Sequence, residues 1–289
     1  MSTTMKWMTL AVQPGFSWPN CQVELEFEGR RLVLQPMTDE LACTVSVFDH
    51  QGLSFEEGGS ILCRFLSRLA WSRNGGVVEL FFIGSNNPAR PGSMGRGTYG
   101  TSGWAAVQPW DYLYLPVPRS AEAELALALY REGLSVNSVP FSFLSFFKIL
   151  NIRFSAGASQ KDWINRNQKA LSYKSAVDRL KELQRTESDI GAYLYHQGRC
   201  AVAHANGSPV VNPDLYGDKR RLELDLPLIK EITAHFIEKE LGVLSDSSFW
   251  KRLRGSVNGS PELLRKTENE DGRVVYVEWK PKAQPMGAH

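Results

Sequence analysis

The segment VPFSFLSFFKILNIR at residues 139–153 decides the fold of the second half of this 289-residue chain. Its apolar side chains recur at helical spacing on two adjoining stripes, which are Phe143, Phe147 and Leu150, and Phe141, Leu144 and Ile149. A helix with one face in water needs only one such stripe. The pattern therefore predicts a helix that is buried between neighbouring helices.

Four further helices are predicted around this segment. Ser120 is placed to cap a helix over 121–132, which Gly133 closes. A long polar helix is predicted over 167–185, and Ser188 or Asp189 begins another over 190–203. Pro227 stands in the first turn of a last helix over 228–241, which ends at Gly242. Several helices joined by short connections are typical of an antiparallel bundle.

The first half of the chain predicts β structure with one helix. Alternating apolar residues predict strands over 22–28 and 31–34, joined by a tight turn at Glu28-Gly29-Arg30. Further strands are predicted over 41–48 and 111–117, and over 77–83, which is apolar on both sides and is expected in the centre of the sheet. The helix is predicted from the apolar spacing over 61–69, with a stop at Asn74-Gly75-Gly76. One short strand is expected over 273–279.

These patterns predict an α+β protein with three parts. Residues 1–118 form a β-rich domain with one helix, residues 119–245 an all-α bundle, and residues 246–289 a C-terminal extension. No apolar run approaches the ~20 residues of a membrane span, and the opening segment lacks the apolar core of a secretory signal. The four cysteines form no C-x-x-C pair, which argues against a disulfide framework and a Cys-rich zinc site. We expect a cytoplasmic protein with no membrane partner.

The charge of the chain is nearly balanced overall but uneven along its length. There are 33 basic and 31 acidic side chains, so net charge alone predicts no nucleic-acid partner. Residues 1–60, however, carry three basic and eight acidic groups, whereas residues 145–185 carry nine basic and three acidic. A local basic excess of this kind can follow a phosphate backbone, or it can be a solvated helical face.

A glycine-rich segment matches a nucleotide-binding motif only formally. Gly95-Arg-Gly97-Thr-Tyr-Gly100 fits G-x-G-x-x-G, but the dinucleotide motif requires a strand directly before it and a helix directly after it. Eleven residues separate it from the preceding predicted strand, so we expect a surface loop within 86–103. The Walker loop, the G-x-S-x-G motif and the H-E-x-x-H motif are all absent from the sequence.

One pair of residues is suited to phosphate chemistry. In RCAVAH, Arg199 and His204 place a permanent cation and an imidazole five positions apart at a predicted helix end. A guanidinium binds two phosphate oxygens at once, and an imidazole can accept or donate a proton near neutral pH. On an ideal helix the two would stand about 140° apart, so they converge only if the helix ends near Ala203. Otherwise Arg199 is a solvent-facing residue and His204 a C-terminal cap.

Residues 121–241 resemble a HEPN domain, the higher-eukaryote-and-prokaryote nucleotide-binding helical bundle. The segments that carry this resemblance are ALALYREGL at 126–134, FSFLSFFKIL at 141–150, YHQGRCAVAHA at 195–205 and LPLIKEITAHFIEKEL at 226–241. In that family an R-x4–6-H motif ends the third core helix, which is where Arg199 and His204 stand. The whole chain also resembles the MauJ-like proteins, named for methylamine utilisation, which imply no established activity.

The HEPN resemblance implies an endoribonuclease of the toxin or defence type, which needs no metal and no cofactor. One chain supplies a single pair, so we expect a homodimer through the bundle, with RNA as substrate and an antitoxin or regulatory protein as a further partner. Arg199 and His204 are the expected catalytic residues, with Asn206, Tyr195 and His196 as possible supporting groups. Active members usually have a polar residue directly after the arginine, where this chain has Cys200. The alternative is a non-catalytic HEPN-like protein for dimerisation, nucleotide binding or assembly.

Overall fold

The computed structural model describes residues 7–38, 41–49, 52–85, 107–108, 114–206, 209–212, 215–255, 267–268 and 274–275. The chain divides into two compact units. The first takes residues 1–73, 79–117 and 246–289, and the second takes residues 74–78 and 118–245. An N-terminal sheet is followed by a helical region, so the predicted α+β layout is confirmed.

The first unit is built on a five-stranded sheet. Along the chain its strands are β1 (Trp7–Pro14), β3 (Val23–Phe27), β4 (Arg30–Gln35), β5 (Cys43–Phe48) and β6 (Val77–Ser85). Their order across the sheet is β3-β4-β5-β1-β6, with antiparallel pairing of β3 with β4, β4 with β5, and β1 with β5. Two short strands, β2 (Trp18–Pro19) and β7 (Val107–Gln108), pair in parallel apart from this sheet.

The hairpin between β3 and β4 turns where the sequence predicts it. Glu28 and Gly29 both have positive φ, at 50° and 70°, as a two-residue hairpin turn of this type requires. Helix α1 (Phe55–Arg73) packs on β1 and β5, and Asn74, directly after it, also has positive φ. Phe65 of α1 meets Phe27 of β3 edge to face, with ring centroids 5.4 Å apart. The core of this unit therefore lies between α1 and the sheet.

Two predictions for the first half are wrong, and one strand was not predicted. Strand β1 was not predicted, yet it lies inside the sheet between β5 and β6. Strand β6 stands at the edge of the sheet rather than in its centre, and its Val78 and Phe81 side chains are exposed. A strand was predicted over 111–117, but the described residues 114–117 belong to no strand. The loop over 86–103, with Gly95, Gly97 and Gly100, lies outside the described residues.

The second unit is helical. Its helices, apart from the one that bears Arg199, are α2 (Ala121–Ser135), α3 (Val139–Leu150), α4 (Gly157–Asn167), α5 (Lys174–Leu183) and α8 (Tyr216–Leu241). Helix α3 packs against both α2 and α8, and α5 packs against α8. Phe143, Phe146 and Phe147 are fully buried, so the predicted burial of α3 between neighbours is confirmed, although Phe141 is exposed.

The ends of the helices follow the sequence signals in part. The Ser120 hydroxyl accepts from the Ala123 N–H, and Gly242 ends α8 with a φ of 70°, both as predicted. Gly133 does not end α2, which continues to Ser135. A Cβ at Gly133 would come within 3.0 Å of the Phe146 ring, so this glycine allows close helix packing.

Two predicted helices have the wrong extent. Helix α8 begins at Tyr216 rather than after Pro227, which lies inside it. Of the single helix predicted over 167–185, only α5 is α-helical; the predicted range begins at the last residue of α4 and includes a 3-10 turn at Gln168–Ala170. Between α4 and α5 the Ser172 and Tyr173 N–H groups donate to a Glu231 carboxylate oxygen at 2.6 and 2.7 Å. In a continuous helix these two N–H groups would donate to backbone carbonyls; here they donate to Glu231 instead.

The C-terminal part adds helix α9 (Asp246–Gly255) and an antiparallel pair, β8 (Thr267–Glu268) and β9 (Val274–Val275). Strand β9 falls within the strand predicted over 273–279, most of which is outside the described residues. Among the helices described, none is long and apolar enough to span a bilayer.

Candidate functional site

Arg199 and His204 belong to one helical run, which we call the motif helix. It comprises α6 (Ile190–Tyr193), a π-helical segment (Leu194–Cys200) and α7 (Ala201–Ala203). Asp189 caps its start, because its Oδ1 accepts from the Ala192 N–H at 2.7 Å. The N-cap predicted at Ser188 or Asp189 is therefore Asp189. The π-helical bonding was not predicted, and it shifts the angular position of residues beyond it because each turn holds more than four residues.

The motif helix ends before His204. The His204 N–H makes the last helical bond, to the Cys200 carbonyl at 3.0 Å, but His204 itself is extended, with φ −129° and ψ 125°. After it the chain folds back, and the Val211 N–H donates to the Ala201 carbonyl at 2.9 Å. The helix thus ends at Ala203, as convergence of the pair requires.

The two side chains of the pair meet. Arg199 Nη1 lies 3.2 Å from His204 Nε2. A guanidinium has only donors, so a hydrogen bond across this distance requires Nε2 to be the acceptor. His204 is exposed and Arg199 partly exposed, so solvent and a ligand can reach both. The pair thus places a permanent cation, which can bind an anionic group, next to an imidazole that can transfer a proton when its nitrogen is not bonded to Arg199.

The ring of Tyr195, one helical turn before Arg199, contacts the Arg199 guanidinium. The Arg199 guanidinium carbon lies 5.6 Å from the centroid of the Tyr195 ring, and the Lys161 ammonium of α4 lies 5.7 Å from the same centroid. Both are within the range of a cation–π contact. The Phe147 ring of α3 meets Tyr195 at 6.0 Å, inclined by 64°. Tyr195 therefore links two cations on different helices to the core.

Three glycines allow the helices around Tyr195 to pack this closely. A Cβ at Gly157 would lie 2.5 Å from the Tyr195 hydroxyl oxygen, so no larger residue fits there without a shift. A Cβ at Gly198 would overlap the Phe143 ring, and one at Gly191 would overlap the Lys161 carbonyl. The motif helix can therefore pack this closely on α3 and α4 only because these three positions are glycine.

Three cations of the basic stretch over 145–185 are paired with carboxylates, whereas the two cations beside Tyr195 are paired with none that the structure describes. Arg153 pairs with Glu122 at 2.9 Å, Lys174 with Asp178 at 2.7 Å, and Arg179 with Asp225 at 2.8 Å. Neither Arg199 nor Lys161 has a carboxylate of the described residues within 4.0 Å. The cations beside Tyr195 are therefore not neutralised by an ion pair with a described carboxylate, which is equally true of Lys148, Arg166, Lys169, Lys181 and Arg185.

A buried polar cluster supports the start of the motif helix. The Asp225 carboxylate of α8 is 1% exposed and accepts from Arg179 Nε at 2.8 Å and from the Tyr193 hydroxyl at 3.0 Å. Burial raises the pKa of Asp225, and Arg179 and Tyr193 oppose that rise. Burial, followed by the charge of Asp225, also raises the pKa of Tyr193, so its hydroxyl stays a donor. This cluster joins α5, the motif helix and α8.

The other predicted residues stand near the pair in different ways. His196 is exposed, and its ring centroid lies 5.0 Å from that of Tyr195. Asn206 is exposed and makes no hydrogen bond to any residue that the structure describes. Cys200 Sγ lies 3.7 Å from Arg199 Nη1. Sequence reasoning missed Lys161 and Gly157 as neighbours of Tyr195, because it placed no helix over 157–167.

The comparison with known families matches the part of the chain that holds this site. Residues 126–238 match the family model described as methylamine utilization protein MauJ. The similarity that is shown thus covers the helical unit, with Arg199 and His204, and not the N-terminal sheet. No curated protein matched the chain, and no solved structure matched it. Within the described part of the chain, no three His, Cys, Asp or Glu side chains group as a metal site would need.

Proposed function

We propose that this protein is a metal-independent endoribonuclease of the toxin or defence type, acting as a homodimer. Under this proposal the helical unit is a HEPN domain, and the resemblance to MauJ-like proteins extends over the whole chain. The protein would work in the cytoplasm, with an antitoxin or regulatory protein as partner. The observation that carries the proposal is the 3.2 Å approach of Arg199 Nη1 to His204 Nε2 at an exposed helix end.

The proposed reaction is an internal transesterification of RNA. His204 of one copy takes the proton of the 2′-hydroxyl, whose oxygen bonds to the adjacent phosphorus. The P–O5′ bond breaks, and the protonated His204 of the second copy gives its proton to O5′. The Arg199 guanidinium binds the non-bridging oxygens as charge builds on them. The products carry a 2′,3′-cyclic phosphate and a 5′-hydroxyl, and neither a metal ion nor a cofactor takes part.

The test is cleavage of RNA in EDTA by the wild type, His204→Asn and Arg199→Ala. Loss of a proton-transfer group is expected to lower the rate by about 10²- to 10⁴-fold. Loss of a group that stabilises the developing charge is expected to lower it by about 10²- to 10³-fold. End-group analysis should find 2′,3′-cyclic phosphates.

Arg185→Ala is the matched control, because Arg185 is an exposed arginine two residues beyond α5. It should cleave at the wild-type rate. Cleavage by His204→Asn at that rate, or cleavage only with a divalent metal, contradicts the proposal.

The second candidate function is a non-catalytic HEPN-like protein for dimerisation, nucleotide binding or assembly. Cys200 favours it, because its thiol lies 3.7 Å from Arg199 Nη1 and active HEPN ribonucleases usually have a polar residue at this position. On this alternative the Arg199–His204 bond only closes the helix end. Growth on overexpression separates the two: toxicity that His204→Asn relieves supports the nuclease, and harmless expression supports the non-catalytic protein.

A further inference from the structure

Lys161 stands close to the proposed site although it is distant in sequence. It lies on α4, four positions after Gly157, so both residues share one face of that helix. Tyr195 packs against this face: the Lys161 ammonium is 5.7 Å from its ring centroid, and the ring lies directly against Gly157. The Arg199 guanidinium is 5.6 Å from the same centroid. One ring therefore carries two cations, each from a different helix.

The ammonium of Lys161 is not held in an ion pair with a described residue, although its charge acts on the Asp189 carboxylate. Its side chain is partly exposed, and no described carboxylate lies within 4.0 Å of its ammonium. Lys174, in the same basic stretch, is instead bound to Asp178 at 2.7 Å. An ammonium held over an aromatic ring keeps its positive charge and its free N–H donors, which are what a phosphate group binds.

We infer that Lys161 and Tyr195 form a second phosphate subsite, which binds a phosphate of single-stranded RNA next to the one that Arg199 contacts. This inference rests on the proposed function. Because both cations lie beside one ring, different phosphates of one strand can reach them. Lys161 transfers no proton; it positions the strand so that the scissile phosphate lies between Arg199 and His204.

The test measures RNA binding without cleavage. His204→Asn is the background, and a fluorescent single-stranded RNA is titrated at several salt concentrations. Adding Lys161→Ala should weaken binding by about three- to tenfold and reduce the slope of log affinity against log salt by about 0.7, the value for one phosphate contact to a single strand. Lys161→Arg keeps the cation and should restore both quantities.

Lys174→Ala is the control for net charge, since it removes the same charge from an ammonium that is 89% exposed and already paired. Lys174→Ala should leave the slope of log affinity against log salt equal to that of His204→Asn alone. In the cleavage assay, Lys161→Ala alone should raise KM while kcat changes little.

Two other outcomes would contradict the subsite alone or the proposed function together with it. A slope that Lys161→Ala and Lys174→Ala change equally overturns the subsite but leaves the nuclease proposal in place. An absence of RNA binding by His204→Asn, together with an absence of cleavage by the wild type, overturns the proposed function and the subsite with it.

Discussion

The approach of Arg199 to His204 depends on two residues that carry no functional group. His204 reaches back because Ala203 is the last helical residue, and Arg199 stands over Tyr195 because the π-helical segment packs tightly on α3. That packing needs Gly198, whose missing side chain leaves room for the Phe143 ring. The geometry of the pair is therefore sensitive to changes in the backbone that supports it.

Gly198→Ala tests this dependence. The added methyl group would overlap the Phe143 ring, so either the ring or the motif helix must move, and overpacking of this kind costs about 1–3 kcal/mol. The free energy of unfolding, measured by urea denaturation, should fall by that amount. Cleavage of RNA should fall further than stability explains, because Arg199 follows directly in the chain.

The control is Gly217→Ala in the first turn of α8, where a Cβ meets nothing within 4 Å. Both changes reduce the entropy of the unfolded chain equally, so their difference isolates the overlap with Phe143. Gly217→Ala should be neutral or stabilising by up to about 1 kcal/mol. Equal stabilities of the two variants would show that the motif helix is not packed as described.

The motif helix is held at its start by a cap whose strength depends on pH. Asp189 Oδ1 accepts from the Ala192 N–H and from the Asn165 side chain at 2.8 Å. These bonds, the one from the backbone above all, lower the pKa of the Asp189 carboxyl. Because the folded-state pKa lies below the unfolded one of about 3.9, the stabilisation is fully present above pH 3.9 and is lost as pH falls through the folded value.

Substitutions at Asp189 separate the cap from its charge. Asp189→Ala should lower the free energy of unfolding at pH 7 by about 1 kcal/mol. Asp189→Asn should retain most of the stabilisation by the cap, because an amide oxygen also caps a helix. Between about pH 5 and pH 2 the wild type should lose more stability than Asp189→Asn, which has no proton to bind there. Parallel acid titrations of these two proteins would contradict the assigned role of the carboxylate.

Local signals in the sequence predict several of the caps and turns, because such signals act over a few residues. Ser120 and Gly242 stand at the predicted ends of α2 and α8, and the turn at Gly29 follows from its own backbone preference. The break between α4 and α5 was not predictable in this way, since it depends on Glu231, about 60 positions later in the chain.

The candidate site could be predicted only in part, for the same reason. The spacing of Arg199 and His204 is visible in the sequence, and so is the condition that the helix must end before His204. The π-helical bonding has no recognised pattern in these residues, and the contact of Lys161 with Tyr195 depends on how α4 packs on the motif helix. Strand β1 was missed although its residues are mostly apolar without alternation, as are those of the strand predicted over 77–83.

The chain as a whole combines a sheet-based unit and a helical unit, and the pair lies in the helical one. One copy holds one Arg199 and one His204, whereas the proposed reaction needs an imidazole that accepts a proton and another that donates one. Within a copy, no described histidine meets His204, and Arg199 is its contact. A symmetric dimer supplies the second imidazole without any further residue, since a two-fold axis brings the same surface of each copy together.

A dimer with one altered copy tests this requirement. Wild-type and His204→Asn chains with different tags are co-expressed, and the mixed dimer is isolated by two successive affinity steps. If both imidazoles act on one phosphodiester, the mixed dimer loses about 10²- to 10⁴-fold in rate, as the fully substituted dimer does. If each copy acts alone, the mixed dimer keeps half of the wild-type rate. A mixed dimer of wild type and Arg185→Ala should be fully active, and light scattering that gives the mass of a single chain for the active protein would contradict the shared site.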